Sequence, residues 1–107
     1  MTLEITFRHM EPSPAMQERI QELAARLEHF SSHIMRCHVS VQAPHAHHHQ
    51  GRLFEVGIDI SVPDKNISVR RAHPYSHAHE DPYVALRDAF HAARRQLEDY
   101  EREHGGM

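Results

Sequence analysis

The sequence lacks the features that identify secreted, membrane-spanning and many catalytic proteins. It has one cysteine, Cys37, and so cannot form an internal disulfide. No apolar run approaches the length needed to cross a bilayer, and the N-terminus has no signal-peptide pattern. It contains no Ser-His-Asp order, His-Glu-x-x-His motif or glycine-rich phosphate loop. These absences predict a cytoplasmic protein that is not an enzyme and has no membrane partner.

The sequence also lacks an excess of positive charge. Its 12 Lys and Arg residues against 15 Asp and Glu residues give a net charge of −3 with histidine neutral, which is not typical of a nucleic-acid-binding protein. The 13 histidines are the compositional anomaly, because adding their charges to −3 gives +10 when all are protonated. The effective charge therefore depends strongly on pH just below neutrality.

Hydrophobic periodicity divides the 107 residues into six elements of one domain, residues 1–107, with a flexible tail. Alternating apolar residues predict strands at 2–7, 35–43, 53–62 and 67–71, and helical spacing predicts helices at 14–30 and 81–100. Ser13 before Pro14 is a good helix start, as is Asp81 before Pro82.

The order β-α-β-β-β-α predicts an α+β fold, with one four-stranded mixed sheet and two helices packed on one face. The first two strands should be parallel, with a right-handed crossover, and the last three antiparallel. Cys37 should be a buried, inert thiol, and Gly57 should mark a bulge or a close approach. The face away from the helices, largely open to water, would carry His38, Ser40, Gln42, Glu55, Asp59, Ser68 and Arg70.

Both helices carry arginines beside an apolar stripe. Arg19 and Arg26 lie one heptad apart in the first helix, as do Arg87 and Arg94 in the last. For any single arginine, a solvated helix face is the simpler interpretation, and the alternative is a surface for an anionic partner. The core stripe predicted for the last helix is Tyr83, Leu86, Phe90, Ala93, Leu97 and Tyr100.

Three segments carry a resemblance to a known family. They are the opening Leu-Glu-Ile-Thr-Phe, the Leu-Glu-His-Phe that ends the first helix, and the Asp-Pro-Tyr-Val-Ala-Leu that starts the last. With the order of elements, they resemble the short form of the ribosome hibernation promoting factor family, also called ribosome-associated inhibitor A or sigma-factor-modulation protein. The resemblance covers essentially the whole chain.

The resemblance implies a bacterial stress or stationary-phase protein that binds the small ribosomal subunit in the channel for messenger and transfer RNA and represses translation. Its partner would be ribosomal RNA, with no DNA or membrane involved. The last helix departs from the lysine-rich pattern of many members, because four acidic residues balance its four arginines. The positions that match the family's phosphate contacts are Arg19, Arg26, Arg87, Arg94, Arg95 and Arg102, to which Arg70 and Arg71 could add.

Seven histidines lie in two loops, 44–51 and 72–80, that should leave the same end of the sheet. Three interpretations compete: a metal site, a pH-dependent RNA contact, and solvated loops without a dedicated role. No cofactor is required by the leading hypothesis. The candidate ligands for Zn²⁺ or Ni²⁺ are His47, His49, His77 and His79.

Two rival hypotheses use the same scaffold. One is a histidine-rich metal-binding or metal-sensing protein, which a metal assay on protein purified without nickel would distinguish. The other is a protein–protein adaptor that uses the open sheet face or an edge strand. Discrete oligomers together with a failure to bind ribosomes would favour the adaptor.

Overall fold

The computed structural model describes residues 1–43, 54–72 and 82–104 and confirms the predicted α+β architecture. The sheet order is β1-β2-β3-β4, with β1 and β2 parallel and the other neighbouring pairs antiparallel. The elements are β1 (Thr2–Arg8), α1 (Pro14–Phe30), β2 (Arg36–Gln42), β3 (Glu55–Val62), β4 (Lys65–Ala72) and α2 (Pro82–Glu103).

Local chemistry sets two of the boundaries. The Ser13 hydroxyl accepts a hydrogen bond of 3.2 Å from the Met16 N–H, so the predicted cap of α1 is confirmed. β4 begins at Lys65, earlier than predicted, because Asp64 adopts a φ of 71° and allows a tight turn after β3. The predicted cap at Asp81 lies outside the described residues.

The core lies between one face of the sheet and the two helices, and apolar side chains of all four strands contribute to it. The core stripe predicted for the last helix is wrong at one residue, because Tyr83 is 40% exposed. The last helix instead buries Ala85, Ala89 and Ala92 beside its large apolar residues. These small side chains allow α2 to approach β3 and β4 closely, which a pattern of large residues alone does not predict.

The segment before β2 also differs from the prediction. Met35 is 55% exposed, whereas its neighbour Ile34 is buried. Strict alternation begins only at Arg36, the first residue of β2, so Met35 is not held on the core face. Cys37 is buried as predicted, and burial, followed by the charge of Asp59, raises the pKa of its thiol to about 12.

The open face of the sheet is polar, as predicted. Gly57 lies in the middle of this face, and a Cβ built there would lie 2.7 Å from Nη1 of Arg70 and 2.9 Å from Oγ of Ser40. The predicted close approach at this glycine is therefore confirmed. Within the described ranges, neither helix is long and apolar enough to cross a membrane.

Candidate functional site

Four arginines surround one cleft between the helices. Arg19 and Arg26 of α1 and Arg87 and Arg94 of α2 line it, and its volume is about 400 Å³. The heptad spacing keeps each pair on one side of its own helix, and the packing of α1 against α2 brings the two sides together. The structure thus unites four of the arginines that the sequence singled out.

The floor of the cleft is apolar and belongs to the core. Leu23, Leu27 and Phe90 line it and are 8%, 3% and 5% exposed. The arginines therefore stand on a packed base, which limits how far their backbone can move when a ligand binds. His91 lines the same cleft and can add a fifth positive charge when protonated.

Carboxylates partly neutralise the cleft. Exposed ion pairs of this kind contribute little free energy, so the arginines can exchange them for a stronger anion. Among the residues that the structure describes, Arg26 has no ion pair and is exposed. The pairs are Arg19 Nη1 to Glu22 Oε1 at 3.0 Å, Arg87 Nε to Asp88 Oδ1 at 3.5 Å, and Arg94 Nε to Glu98 Oε2 at 3.4 Å.

A second cleft of about 460 Å³ adjoins the first at the end of α1. Arg26 and Arg94 line both clefts, and Ala25, His29 and Phe30 complete the second one. The guanidinium carbon of Arg94 lies 4.3 Å from the centroid of the Phe30 ring, within cation–π range. This contact fixes the position of Arg94 between the two clefts.

The other arginines from the sequence analysis line neither cleft. Arg95 and Arg102 are exposed on α2, and Arg102 pairs with Asp99. Arg70 lies on the open sheet face, away from the helices, with Nη2 3.3 Å from Oδ2 of Asp59. Arg71 is exposed at the end of β4, and its Nη1 donates to the Arg70 carbonyl. The structure therefore does not bring Arg70 together with the arginines of the helices.

Two ion pairs lie on the open sheet face, one between Arg70 and Asp59 and one between Arg36 and Glu4. Burial alone would raise the pKa of Asp59, but hydrogen bonds from Ser68 and Arg70 outweigh it and hold that pKa below its ordinary value. A hydrogen bond from Arg36 likewise lowers the pKa of Glu4. One carboxylate thus balances each of these two arginines, whereas four arginines line the cleft between the helices against three paired carboxylates.

The candidate metal ligands His47, His49, His77 and His79 lie outside the described residues. Within the described part of the chain, no group of three or more His, Cys, Asp and Glu side chains could hold a metal ion. The strands do place Gln42, Glu55 and Ala72 in one row across the sheet. The ends from which both histidine loops leave are therefore neighbours, as the topology predicted.

The sequence analysis did not assign His29, Phe30 or His91 to a site, although all three line the clefts. Helical spacing places Phe30 on the apolar stripe of α1, but it is only partly buried and lies beneath Arg94. A signal for His91 was available, because it is four residues after Arg87 and three before Arg94, on the same side of a helix.

Comparison with known proteins gives one family and a shared fold. The family model described as sigma 54 modulation protein / S30EA ribosomal protein matches residues 3–104. A ribosomal subunit interface protein from Coxiella burnetii is similar in structure, with a TM-score of 0.69 and 18% identity over 95% of this chain and 99% of that one. The N-terminal domain of Protein Y from Thermus thermophilus gives a TM-score of 0.74 and 16% identity over 94% and 99%.

Proposed function

Because the chain belongs to the sigma 54 modulation protein / S30EA ribosomal protein family, we propose that this ribosome-associated protein binds RNA of the small ribosomal subunit and inhibits translation. The C. burnetii neighbour is described as a ribosomal subunit interface protein, which supports a position on the ribosome. We further propose that the protein acts as a hibernation factor, under stress or in stationary phase.

The cleft between α1 and α2 is the observation that carries the proposal. It presents four arginines on a packed apolar floor. Guanidinium groups bind phosphate bidentately and stay charged at every physiological pH. Contacts to phosphate fix position without reading sequence, which suits a protein that must recognise the shape of a ribosomal channel.

Inhibition would follow from occupancy. A folded domain seated in the channel for messenger and transfer RNA excludes both ligands without any chemical step. The helices supply the contacts, and the domain behind them supplies the bulk. No catalytic group is needed for this function, which agrees with the family's role as ribosome-associated factors.

The acidic residues beside the arginines should make binding moderate in strength and sensitive to salt. Each arginine that contacts a phosphate releases a condensed counterion, so affinity falls as salt rises. The carboxylates of Glu22, Asp88 and Glu98 must also give up their arginine partners. A salt-dependent equilibrium is therefore expected.

Co-sedimentation of the untagged protein with purified small ribosomal subunits, at low and high salt, tests the proposal. Arg87→Glu with Arg94→Glu should abolish co-sedimentation and leave the fold intact, because both side chains are exposed. The matched control is Arg8→Glu with Lys65→Glu, which changes net charge equally at exposed residues outside the cleft. Binding by the cleft variant, or equal loss in both variants, would refute the assigned surface.

A further inference from the structure

The second cleft has a different chemistry from the first. Its lining is largely apolar, and the ring of Phe30 and the guanidinium of Arg94 meet within it. Electrostatic binding of phosphates does not require such a surface. Guanidinium planes and aromatic rings are instead the surfaces on which proteins stack unpaired nucleic-acid bases, and here the guanidinium of Arg94 lies over the Phe30 ring.

Resting on the proposed function, we propose that one unpaired RNA base stacks on the outer face of the Arg94 guanidinium, which the Phe30 ring supports from beneath, while Arg26 binds a phosphate next to that base. The ligand of this site is single-stranded or looped RNA with an extruded base. Base-paired RNA cannot use this site, because its bases are stacked inside the helix and its major groove is too narrow for side chains.

The charges around the cleft support this division of roles. Within the described residues, the ion pair of Arg94 uses its Nε edge, which faces Glu98, and no hydrogen bond involves its Nη atoms. Its guanidinium is therefore held in place but can still contact a base. Arg26 has no ion pair in the described part of the chain, so a phosphate binds it without displacing a carboxylate.

The position of Arg26 and Arg94 between the clefts links the two parts of the proposal. A strand whose phosphates follow the arginines of the first cleft can turn one base into the second. His29, at the rim, can donate a hydrogen bond to that base or to its sugar. The first cleft then supplies affinity, and the second supplies a preference for unpaired RNA.

The test compares a single-stranded oligoadenylate with a blunt RNA duplex carrying the same number of phosphates, by fluorescence anisotropy. Phe30→Leu keeps an apolar side chain but removes the ring. We expect it to weaken binding of the single strand by about fivefold to 150-fold, the range for losing one stacked base, and to leave duplex binding unchanged. Phe30→Tyr keeps the ring and should retain the single-strand affinity.

Salt dependence separates stacking from charge. Phe30→Leu should not alter the slope of affinity against salt, because it removes no cation. Arg26→Gln should make the dependence of log affinity on log salt shallower by about one for both ligands. Equal losses of single strand and duplex in Phe30→Leu, or no loss of either, would overturn the stacking role.

Phe30 also packs against the core, so Phe30→Leu could lower the stability of the protein. A second measurement therefore uses the wild-type protein alone. Wild-type protein is irradiated with an oligonucleotide that carries one 4-thiouridine, and the crosslinked peptide is mapped by mass spectrometry. A crosslink within residues 25–30 or to Arg94 supports the site, and crosslinks confined to other segments overturn it. Sedimentation with small ribosomal subunits distinguishes the two proposals. Unchanged binding of Phe30→Leu would refute the stacking role but not the ribosomal role, whereas absent binding of the wild-type protein would refute the ribosomal role.

Discussion

Nδ1 of His33 lies 2.9 Å from a carboxylate oxygen of Glu101, 68 residues later in the sequence. The same carboxylate accepts a hydrogen bond from the hydroxyl of Ser31, which is buried. These contacts join the segment after α1 to the last turn of α2. The neighbouring Tyr100 donates a hydrogen bond of 3.1 Å to the Pro63 carbonyl, so the C-terminal end of α2 is tied to the β3–β4 turn as well.

The Glu101 contacts predict a loss of stability in acid. The hydrogen bond from Ser31, and then that from His33, holds the pKa of Glu101 below its ordinary value of 4.5. A lowered pKa in the folded state gives stability that is present above the unfolded pKa and is lost as pH falls through the folded one. Glu101→Gln should therefore destabilise the protein at pH 7, and this difference should shrink below about pH 4.5.

Urea unfolding of both proteins across that pH range measures the difference directly. Glu103→Gln, an exposed change in the same turn of α2, serves as the control and should leave the free energy of unfolding unchanged. A Glu101→Gln deficit that stays constant from pH 7 into acid would show that the carboxylate charge does not carry the effect.

Sequence patterns predicted the sheet well because each strand has one apolar face. Alternation alone placed Val39, Ile58 and Val69 on the core side and Asp59 on the open side, as the structure has them. It also implies that consecutive residues face opposite ways, so Arg70 and Arg71 could not both join a surface on the helix side. The register confirms this, since Arg70 lies opposite Gly57 and Arg71 opposite the buried Val56.

What could not be predicted is the contact between the helices. Periodicity gives the face of each helix but not how far one slides along the other, and that depends on the side chains at the crossing. The position of Arg94 over Phe30 is set by this packing. The sequence thus predicted which arginines share a side, and only the structure shows that they form two adjoining clefts.

Gly57→Ala tests the crowding on the open sheet face. A Cβ would lie 2.7 Å from the guanidinium of Arg70, which must move and give up its contact with Asp59. Overpacking in a core costs about 1–3 kcal/mol, and this is an upper limit here because the guanidinium is the mobile end of an exposed side chain. The lower chain entropy of alanine offsets about 0.5–1 kcal/mol, so we expect a net loss of less than about 1 kcal/mol in urea unfolding. The loss should be smaller in an Arg70→Ala background, and equal losses in both backgrounds would show that Arg70 is not the obstacle.

Leu86→Ala should cost far more, because Leu86 is 0% exposed in the core between α2 and the sheet. Removing a large buried side chain leaves a cavity, and the expected loss is about 2–5 kcal/mol in the free energy of unfolding. The exposed Gln96 of the same helix provides the control, since Gln96→Ala should change stability by less than about 0.5 kcal/mol. A small effect at Leu86 would contradict its burial.

A metal site at His47, His49, His77 and His79 is a proposal that metal removal can test. If the four imidazoles bind Zn²⁺ or Ni²⁺, untagged protein dialysed against each ion should retain about one equivalent by elemental analysis, and chelation should lower its melting temperature. Replacing the four with alanine should remove this binding, whereas replacing His29 and His91 should not. If no metal is bound, two interpretations of these histidines remain: a pH-dependent RNA contact, or solvated loops without a dedicated role.

Glu98→Gln should strengthen binding to small ribosomal subunits. Glu98 lies 3.4 Å from Arg94 and lowers the positive potential where both clefts meet. The pair is exposed, so its free energy is at most about 1 kcal/mol, which corresponds to a gain of up to about fivefold in affinity at low salt. Glu55→Gln removes the same charge from the open sheet face and should give little or no gain. Because screening weakens both the pair and the phosphate contacts, the advantage of Glu98→Gln should narrow as salt rises. Equal gains from the two variants would mean that net charge, and not the cleft between the helices, controls the affinity.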